Sequence, residues 1–483
     1  MSIRMLARSR PVLAALLLSA NSALPGASAE SKASYFRSDL GVSSSAAALP
    51  DNLEAPEALR WRATLDPGHS SPILSAGRIF LTTYREATKE LATVALDAED
   101  GHELWRQPVS VAHLEQTHPV GSPATATAAC DGKHVFVFFG SYGLICYDLD
   151  GKEQWKQPMG PFMDEYGAGS SPIIVDGKLI LNQDHDKASF LMAVDTSTGK
   201  TAWRIERPDA VRSYSTPALW THGGQTELLV AGALELASFA PTSGERLWSI
   251  HGLARIVIPT PIPAGDTIYM ASWSPGGDAG QRLELDTWSV ALGKWDKNHD
   301  NKLARAEISD PEVLDRFNRM DLDQDGVLDQ HEWERHAAVF RQAQNALLAI
   351  KPSGRGELPE TAVLWKYQKG VPYVSTPLLD KGWVWMVKDG GIVTKIDATT
   401  GQRLQEERLP GMGRYFASPV SGDGKLYFSS EPGVVSVVAN QKDWQVVSSR
   451  DFHERILATP SIDNGRLYLR TEKSLYCFQR AKN

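Results

Sequence analysis

Four short runs follow one another in the stretch Pro123-Ala124-Thr125-Ala126-Thr127-Ala128-Ala129, His134-Val135-Phe136-Val137-Phe138-Phe139, Leu144-Ile145-Cys146-Tyr147-Asp148-Leu149 and Glu153-Gln154-Trp155-Lys156. Asp131-Gly132 and Asp150-Gly151 stand between runs as tight-turn pairs, so the stretch reads as four antiparallel strands. Its opening dipeptide recurs as Ser71-Pro72, Ser122-Pro123, Ser171-Pro172, Thr216-Pro217, Thr260-Pro261, Thr376-Pro377, Ser418-Pro419 and Thr459-Pro460. Six of the intervals are about the length of a four-stranded propeller blade, and the one from Thr260 to Thr376 is longer by about 70 residues. A second anchor runs in step with the first: Gly101, Gly151, Gly199 and Gly244 each stand four residues before a tryptophan, at Trp105, Trp155, Trp203 and Trp248. One such sheet exposes both faces, so repetition is a packing requirement, with the recurring indole as the body between neighbours.

The expected fold is therefore all-β, an eight-bladed β-propeller with a small inserted α-helical module. The last unit, Thr459 to Arg480, holds only three strands. Ala58-Leu59-Arg60-Trp61-Arg62-Ala63 has the form of the missing fourth and is expected to close the ring, which removes the open edge. Residues 58–277 and 345–483 then form the propeller and 278–344 the insertion.

Composition agrees with a globular chain: 483 residues, 22% charged and 42% hydrophobic, with 39 glycines, 28 prolines and 14 tryptophans. The formal charge of −8 argues against nucleic acid as a partner. Residues 1–29 read as an export signal: Arg4, Arg8 and Arg10, then an apolar run from Val12 to Leu18, then Ala27-Ser28-Ala29 before Glu30. That run is too short to span a bilayer and no comparable one follows, so no transmembrane segment is expected and the mature chain is expected to be periplasmic or secreted. Residues 30–57, biased to Ser, Ala and Pro, read as a flexible leader. Cys130, Cys146 and Cys477 are too few for a disulfide framework and read as core thiols.

These features resemble the pyrroloquinoline-quinone-like (PQQ-like) propeller superfamily, whose blades carry Ser-Pro near the inner strand and a docking motif of the form Asp-x-x-x-Gly-x-x-x-Trp. That motif stands at Asp195-Thr196-Ser197-Thr198-Gly199-Lys200-Thr201-Ala202-Trp203 and, more loosely, from Asp97 to Trp105. Gln405 takes the tryptophan place after Gly401, and Trp365 lacks the preceding glycine, so those blades are expected to dock less tightly.

The long interval contains two twelve-residue segments that match the EF-hand loop, 296–307 and 321–332. Asp296, Asn298, Asp300, the Lys302 carbonyl and Glu307 in the first, and Asp321, Asp323, Asp325, the Val327 carbonyl, Asp329 and Glu332 in the second, are the oxygens a hard cation such as calcium takes. The second loop holds five carboxylates and Gly326 at the sharp turn, the first three carboxylates and Asn301 there, so the second is expected to bind more tightly. Helices are expected over Asp286 to Lys294, Pro311 to Met320 and about Gln330 to Gln344. Calcium would either staple the insertion or act as a sensor.

The residues just before each Ser/Thr-Pro are expected at the funnel mouth. Among them Arg212, Arg255, Arg414 and Arg455, with Tyr166 and Tyr373, are candidates for holding an anionic ligand. The alternative is salt bridges to Glu165, Glu454 and loop carboxylates. The resemblance implies two branches. Its dehydrogenases oxidise alcohols or sugars with bound PQQ, but they carry an adjacent cysteine pair and the cysteines here are isolated. Asp184-His185-Asp186 is the nearest approach to a catalytic cluster and reads as a solvated turn. Its scaffold branch includes the propeller subunit of the bacterial outer-membrane barrel-assembly machinery. The favoured expectation is an exported scaffold that binds calcium and other exported or envelope proteins; the runner-up is a PQQ-dependent dehydrogenase.

Overall fold

The computed structural model describes residues 33–480 apart from 163, 165, 186 and 279–284, so the export signal expected at 1–29, Glu165 and Asp186 lie outside the described residues. Eight sheets form an all-β ring with three α-helices inserted, antiparallel throughout except that Gly356–Glu357 adds parallel to the outer strand of blade 4. Blade 3 is representative: Ile173–Val175, Lys178–Gln183, Phe190–Asp195 and Thr201–Glu206, paired in that order. The middle strands alternate no polarity because both faces are covered by neighbouring blades, and Leu179, Ile180, Leu181, Leu191 and Ala193 are fully buried.

The ring closes as expected. Leu59–Thr64 pairs antiparallel with Ser474–Gln479, with Trp61 opposite Cys477, and supplies the fourth strand of blade 8. All three cysteines are buried free thiols.

Two devices join the blades. The outer one uses the Gly/Trp repeat. In blade 3 the Asp195 carboxylate accepts the amides of Ser197 and Thr198 and both their hydroxyls, which holds its pKa down to about 2 and sets a turn in which Gly199 has φ +69°. A Cβ on Gly199 would fall 2.6 Å from the Trp155 indole of blade 2, and the Trp155 Nε1 donates to Thr196 O at 2.9 Å. The same contact recurs for Trp61 under Gly101, Trp105 under Gly151, Trp203 under Gly244 and Trp365 under Gly401. Trp365 therefore docks without a glycine of its own, its Nε1 donating to Ala398 O at 3.0 Å. Between blades 6 and 7, where looser docking was expected from Gln405, the contact becomes polar instead of weak. Gln405 bonds both backbone groups of Trp444, and the buried Lys395 ammonium donates to Gln441 O and Lys442 O, each at 2.7 Å.

The inner device explains the Ser/Thr-Pro repeat. Around the axis the Ser or Thr amide donates to the hydroxyl of the next blade at seven of the eight boundaries: Ser71 to Thr127, Thr127 to Ser171, Ser171 to Thr216, Thr260 to Thr376, Thr376 to Ser418, Ser418 to Thr459 and Thr459 back to Ser71, all between 2.9 and 3.1 Å. The series breaks between Thr216 and Thr260, where the Thr260 hydroxyl is buried without a hydrogen-bond partner. A proline next in line has no N–H to leave unpaired at the narrow centre. In blade 2 the member of this ring is Thr127 and not Ser122. The first strand there is Ala129–Cys130, shorter and later than the run from Pro123 to Ala129, because Thr127 followed by Ala128 takes the place of Ser-Pro.

Residues 33–57 are not a flexible leader. Ser34 bridges to Cys130 of blade 2 and Val42 to Ser421 of blade 7, so this strap crosses the end of the axis where the first and second strands of each blade meet. Buried Arg37 donates to Pro419 O, Pro377 O and Leu40 O, and Leu49 and Leu53 are each 1% exposed in the core of blades 7 and 8.

The insertion leaves blade 5 between Thr267–Ser272 and Ala346–Ile350, which pair directly. Its helices are α1 (Trp288–Trp295), α2 (Pro311–Met320) and α3 (Gln330–Gln342). Asp310 caps α2 by accepting the Glu312 and Val313 amides, and Asp329 with Glu332 forms a reciprocal cap on α3. Trp288, Trp295, Phe317, Leu303, Leu328 and Trp333 give the insertion its own core.

Candidate functional site

The axis holds a cavity of about 210 Å³. Phe36 of the strap lines one end, and Tyr166, Tyr214, Tyr373 and Phe416 line its sides with the hydroxyls of the inner ring. His69 is the one titratable ring among them that is not a phenol. Burial beside Arg470 and Arg455 pushes its pKa down to about 3, so it is neutral at ordinary pH. No lysine, arginine or carboxylate lines this cavity among the described residues.

Tyr166 and Tyr373 thus stand at the axis as expected, but the four arginines do not join them. Arg414 and Arg455 both grip Glu431, at 2.8 and 2.7 Å, a loop carboxylate of the kind the alternative reading named, though Glu431 itself was not singled out. Arg212 and Arg255 line a separate cleft of about 70 Å³ between the propeller and the insertion. Glu454 pairs with Arg62 and accepts from the Thr471 hydroxyl. Convergence of four guanidinium groups on one anion is replaced by two separate pairs, because a buried-side glutamate and a packed module each claim one pair.

The Asp184-His185 turn is structural. Asp184 is buried against Arg207 at 2.8 Å, and His185 stacks on Phe162 with ring centres 4.4 Å apart, its pKa pushed down to about 4 by burial.

In the insertion, Leu303–Ala304 pairs antiparallel with Val327–Leu328, joining the middles of the two twelve-residue loops through fully buried Leu303 and Leu328. In loop 321–332 the carboxylate oxygens of Asp321, Asp323 and Asp325 lie within 4.8 Å of one another. Asp321 is 8% exposed; one oxygen accepts the Gly326 amide, and the other is buried with no hydrogen-bond donor. Glu332, 5% exposed, accepts the Leu322 amide at 2.6 Å and closes the loop from its far end. Clustered carboxylates with an orphaned buried oxygen suit a hard divalent cation. Loop 296–307 is similarly curled, with Glu307 accepting the Lys297 and Asn298 amides and Asp296 the Asn301 amide, but its end carboxylates Asp296 and Glu307 are only half-buried where Asp321 and Glu332 are buried. Lys302 of the first loop pairs with Asp325 of the second at 3.2 Å.

Among the described residues no helix is long and apolar enough to cross a membrane. A quinohemoprotein alcohol dehydrogenase, ADH IIB, of Pseudomonas putida is 28% identical over an alignment of 149 residues that covers 27% of this chain and 22% of that relative. Among solved structures, BamB from Moraxella catarrhalis superposes with a TM-score of 0.55 at 13% identity, over 87% of this chain and 98% of that one. A europium-containing methanol dehydrogenase does so with a TM-score of 0.51 at 12% identity, over 92% and 96%. At such identities the likeness is one of fold. The family model described as outer membrane protein assembly factor BamB matches residues 91–272 and 362–483, both propeller segments on either side of the insertion, and the chain belongs to that family.

Proposed function

We propose that this is an exported propeller scaffold that binds other exported or envelope proteins and carries calcium in an EF-hand pair. The observation behind the calcium reading is the buried, donorless Asp321 oxygen among the carboxylates of Asp323 and Asp325. Ligands there would be Asp321, Asp323, Asp325, the Val327 carbonyl, Asp329 and Glu332; in the first loop, Asp296, Asn298, Asp300, the Lys302 carbonyl and Glu307. Export rests on the basic start, apolar run and Ala27-Ser28-Ala29, and is checked by whether the mature protein begins at Glu30. Titration calorimetry of calcium into the full chain tests the ion; absence of binding at millimolar calcium overturns it.

The dehydrogenase reading has one observation in its favour, the 149-residue likeness to ADH IIB. PQQ carries three carboxylates, and the axial cavity offers neutral hydroxyls, aromatic faces and neutral His69, with no cation among the described residues that line it, so those residues do not fit it. Visible absorption after adding PQQ and calcium, followed by dye reduction with alcohols and sugars, decides between the two. Stoichiometric quinone with turnover overturns the scaffold reading.

A further inference from the structure

We infer that ion occupancy of loop 321–332 controls how the insertion clamps the linker between blades 3 and 4, and through that linker the wall of the axial cavity. The inference rests on the calcium reading above and adds to it a coupling between the ion site and the propeller.

The second loop meets the propeller. Two ties flank the ion position. Lys187, in the loop joining the second and third strands of blade 3, donates to Asp323 O at 3.2 Å, and Asp323 is the third residue of the loop. Arg335 of α3 donates to Pro208 O at 3.0 Å, and Arg335 lies three residues after Glu332, on the same side of the helix. His331 stands 3.6 Å from Asp209 beside it. The cleft between the two bodies is lined by Asp321 and Glu332 from the insertion and by Val211, Arg212, Arg255 and Ile256 from the propeller, so the first and last oxygen ligands sit at the interface itself.

An ion drawing Asp321, at the end of α2, and Glu332, in the first turn of α3, to one centre sets the angle between the two helices. Without it the carboxylates of Asp321, Asp323 and Asp325 repel across less than 4.8 Å, and both Asp323 O and Arg335 move relative to their propeller partners.

The clamped linker leads to the cavity. From Pro208 the chain runs through Ser213, whose amide donates to Asp184 O and whose hydroxyl accepts the Val257 amide, to Tyr214. The Tyr214 hydroxyl donates to Asp164 at 2.6 Å and its ring lines the axial cavity. The start of the linker is pinned by the buried Arg207–Asp184 pair.

Hydrogen exchange of the full chain, with calcium and with chelator, reads the amides of Ala210, Ser213 and Tyr214, which donate to Arg207 O, Asp184 O and Val257 O respectively. Calcium is expected to slow exchange over 207–216 at least threefold in the native chain and in Glu307→Gln, and not in Glu332→Gln. The double variant Lys187→Ala/Arg335→Ala, altered only at exposed or half-exposed ties, is expected to bind calcium several-fold more weakly, because coupling is reciprocal, and to lose the slowing over 207–216. Calcium binding in the native chain with 207–216 unchanged overturns the clamp and leaves the calcium reading standing. No calcium binding in the native chain overturns the calcium reading first and the clamp with it.

Discussion

Gln405 holds Trp444 by both ends of its amide: its Nε2 donates to the Trp444 carbonyl at 3.1 Å and its Oε1 accepts the Trp444 N–H at 3.2 Å. A side chain that would merely fail to fill an indole-sized space instead satisfies two backbone groups of the next blade. Lys395 supports the same boundary, its ammonium 3.4 Å from the centre of the Trp383 ring and bonded to two carbonyls.

Replacing Lys395 with methionine therefore takes the buried ammonium away from the Gln441 and Lys442 carbonyls and is expected to cost about 2–3 kcal/mol, while Gln405→Ala costs about 1–2 kcal/mol. Urea unfolding of the two variants checks the order. A smaller loss for Lys395→Met than for Gln405→Ala contradicts it.

Ring closure depends on Trp61 as well as on strand pairing. Trp61→Ala removes a buried indole from against Gly101 and is expected to lower stability by about 3–5 kcal/mol. Deleting residues 58–65 should lower the melting temperature more than deleting 30–50, since only the first opens the sheet of blade 8. The second deletion is nonetheless expected to be measurable, because Arg37 and Leu49 are buried.

Stability should fall as pH rises from about 4.5 to about 7. Burial pushes the Glu115 carboxyl up to about 7 from an ordinary 4.5; one oxygen accepts the Ala168 amide and the other is buried without a partner. Across that window the folded chain keeps a proton the unfolded chain has released, so the contribution is complete below the lower value and lost above the upper one. The change is on the order of 3 kcal/mol. Urea midpoints measured across the window should lose this slope in Glu115→Gln.

The two loops should separate in affinity. Glu332→Gln is expected to abolish the tighter calcium event and Glu307→Gln the weaker one, read by calorimetry. Lys302→Met, which frees Asp325 of a competing ammonium, should tighten the second site by a few-fold. At calcium a hundred times the dissociation constant, the native chain should gain about 2.7 kcal/mol.

Much of the fold was legible because the repeat has a local cause. A Gly that must take positive φ beneath a Trp, and a hydroxyl that must accept its neighbour's amide at the axis, both leave residues at fixed intervals. Blade 2 misled because Ser122-Pro123 has the right letters five residues before Thr127, which occupies the ring. The strap was invisible because its binding uses backbone bridges and one arginine on carbonyls, none of which marks composition. The placement of Tyr166 and Tyr373 at the axis followed from their position before Thr/Ser-Pro. The fate of the arginines did not, since the same position in different blades meets Glu431 in one place and the insertion in another.

The amino-acid sequence by itself determined the eight blades, the closing strand and the oxygen-rich loops, because each follows from contacts that recur at set spacings or lie within a dozen residues. Only the tertiary structure decided which charges cancel, that the described residues lining the axial cavity are neutral, and that the second loop is tied to blade 3 and to the linker after it. Those outcomes depend on groups brought together by the folding of different loops and blades, about 20 residues apart for Arg414, Arg455 and Glu431 and more than a hundred for Lys187 and Asp323, where no local pattern constrains them.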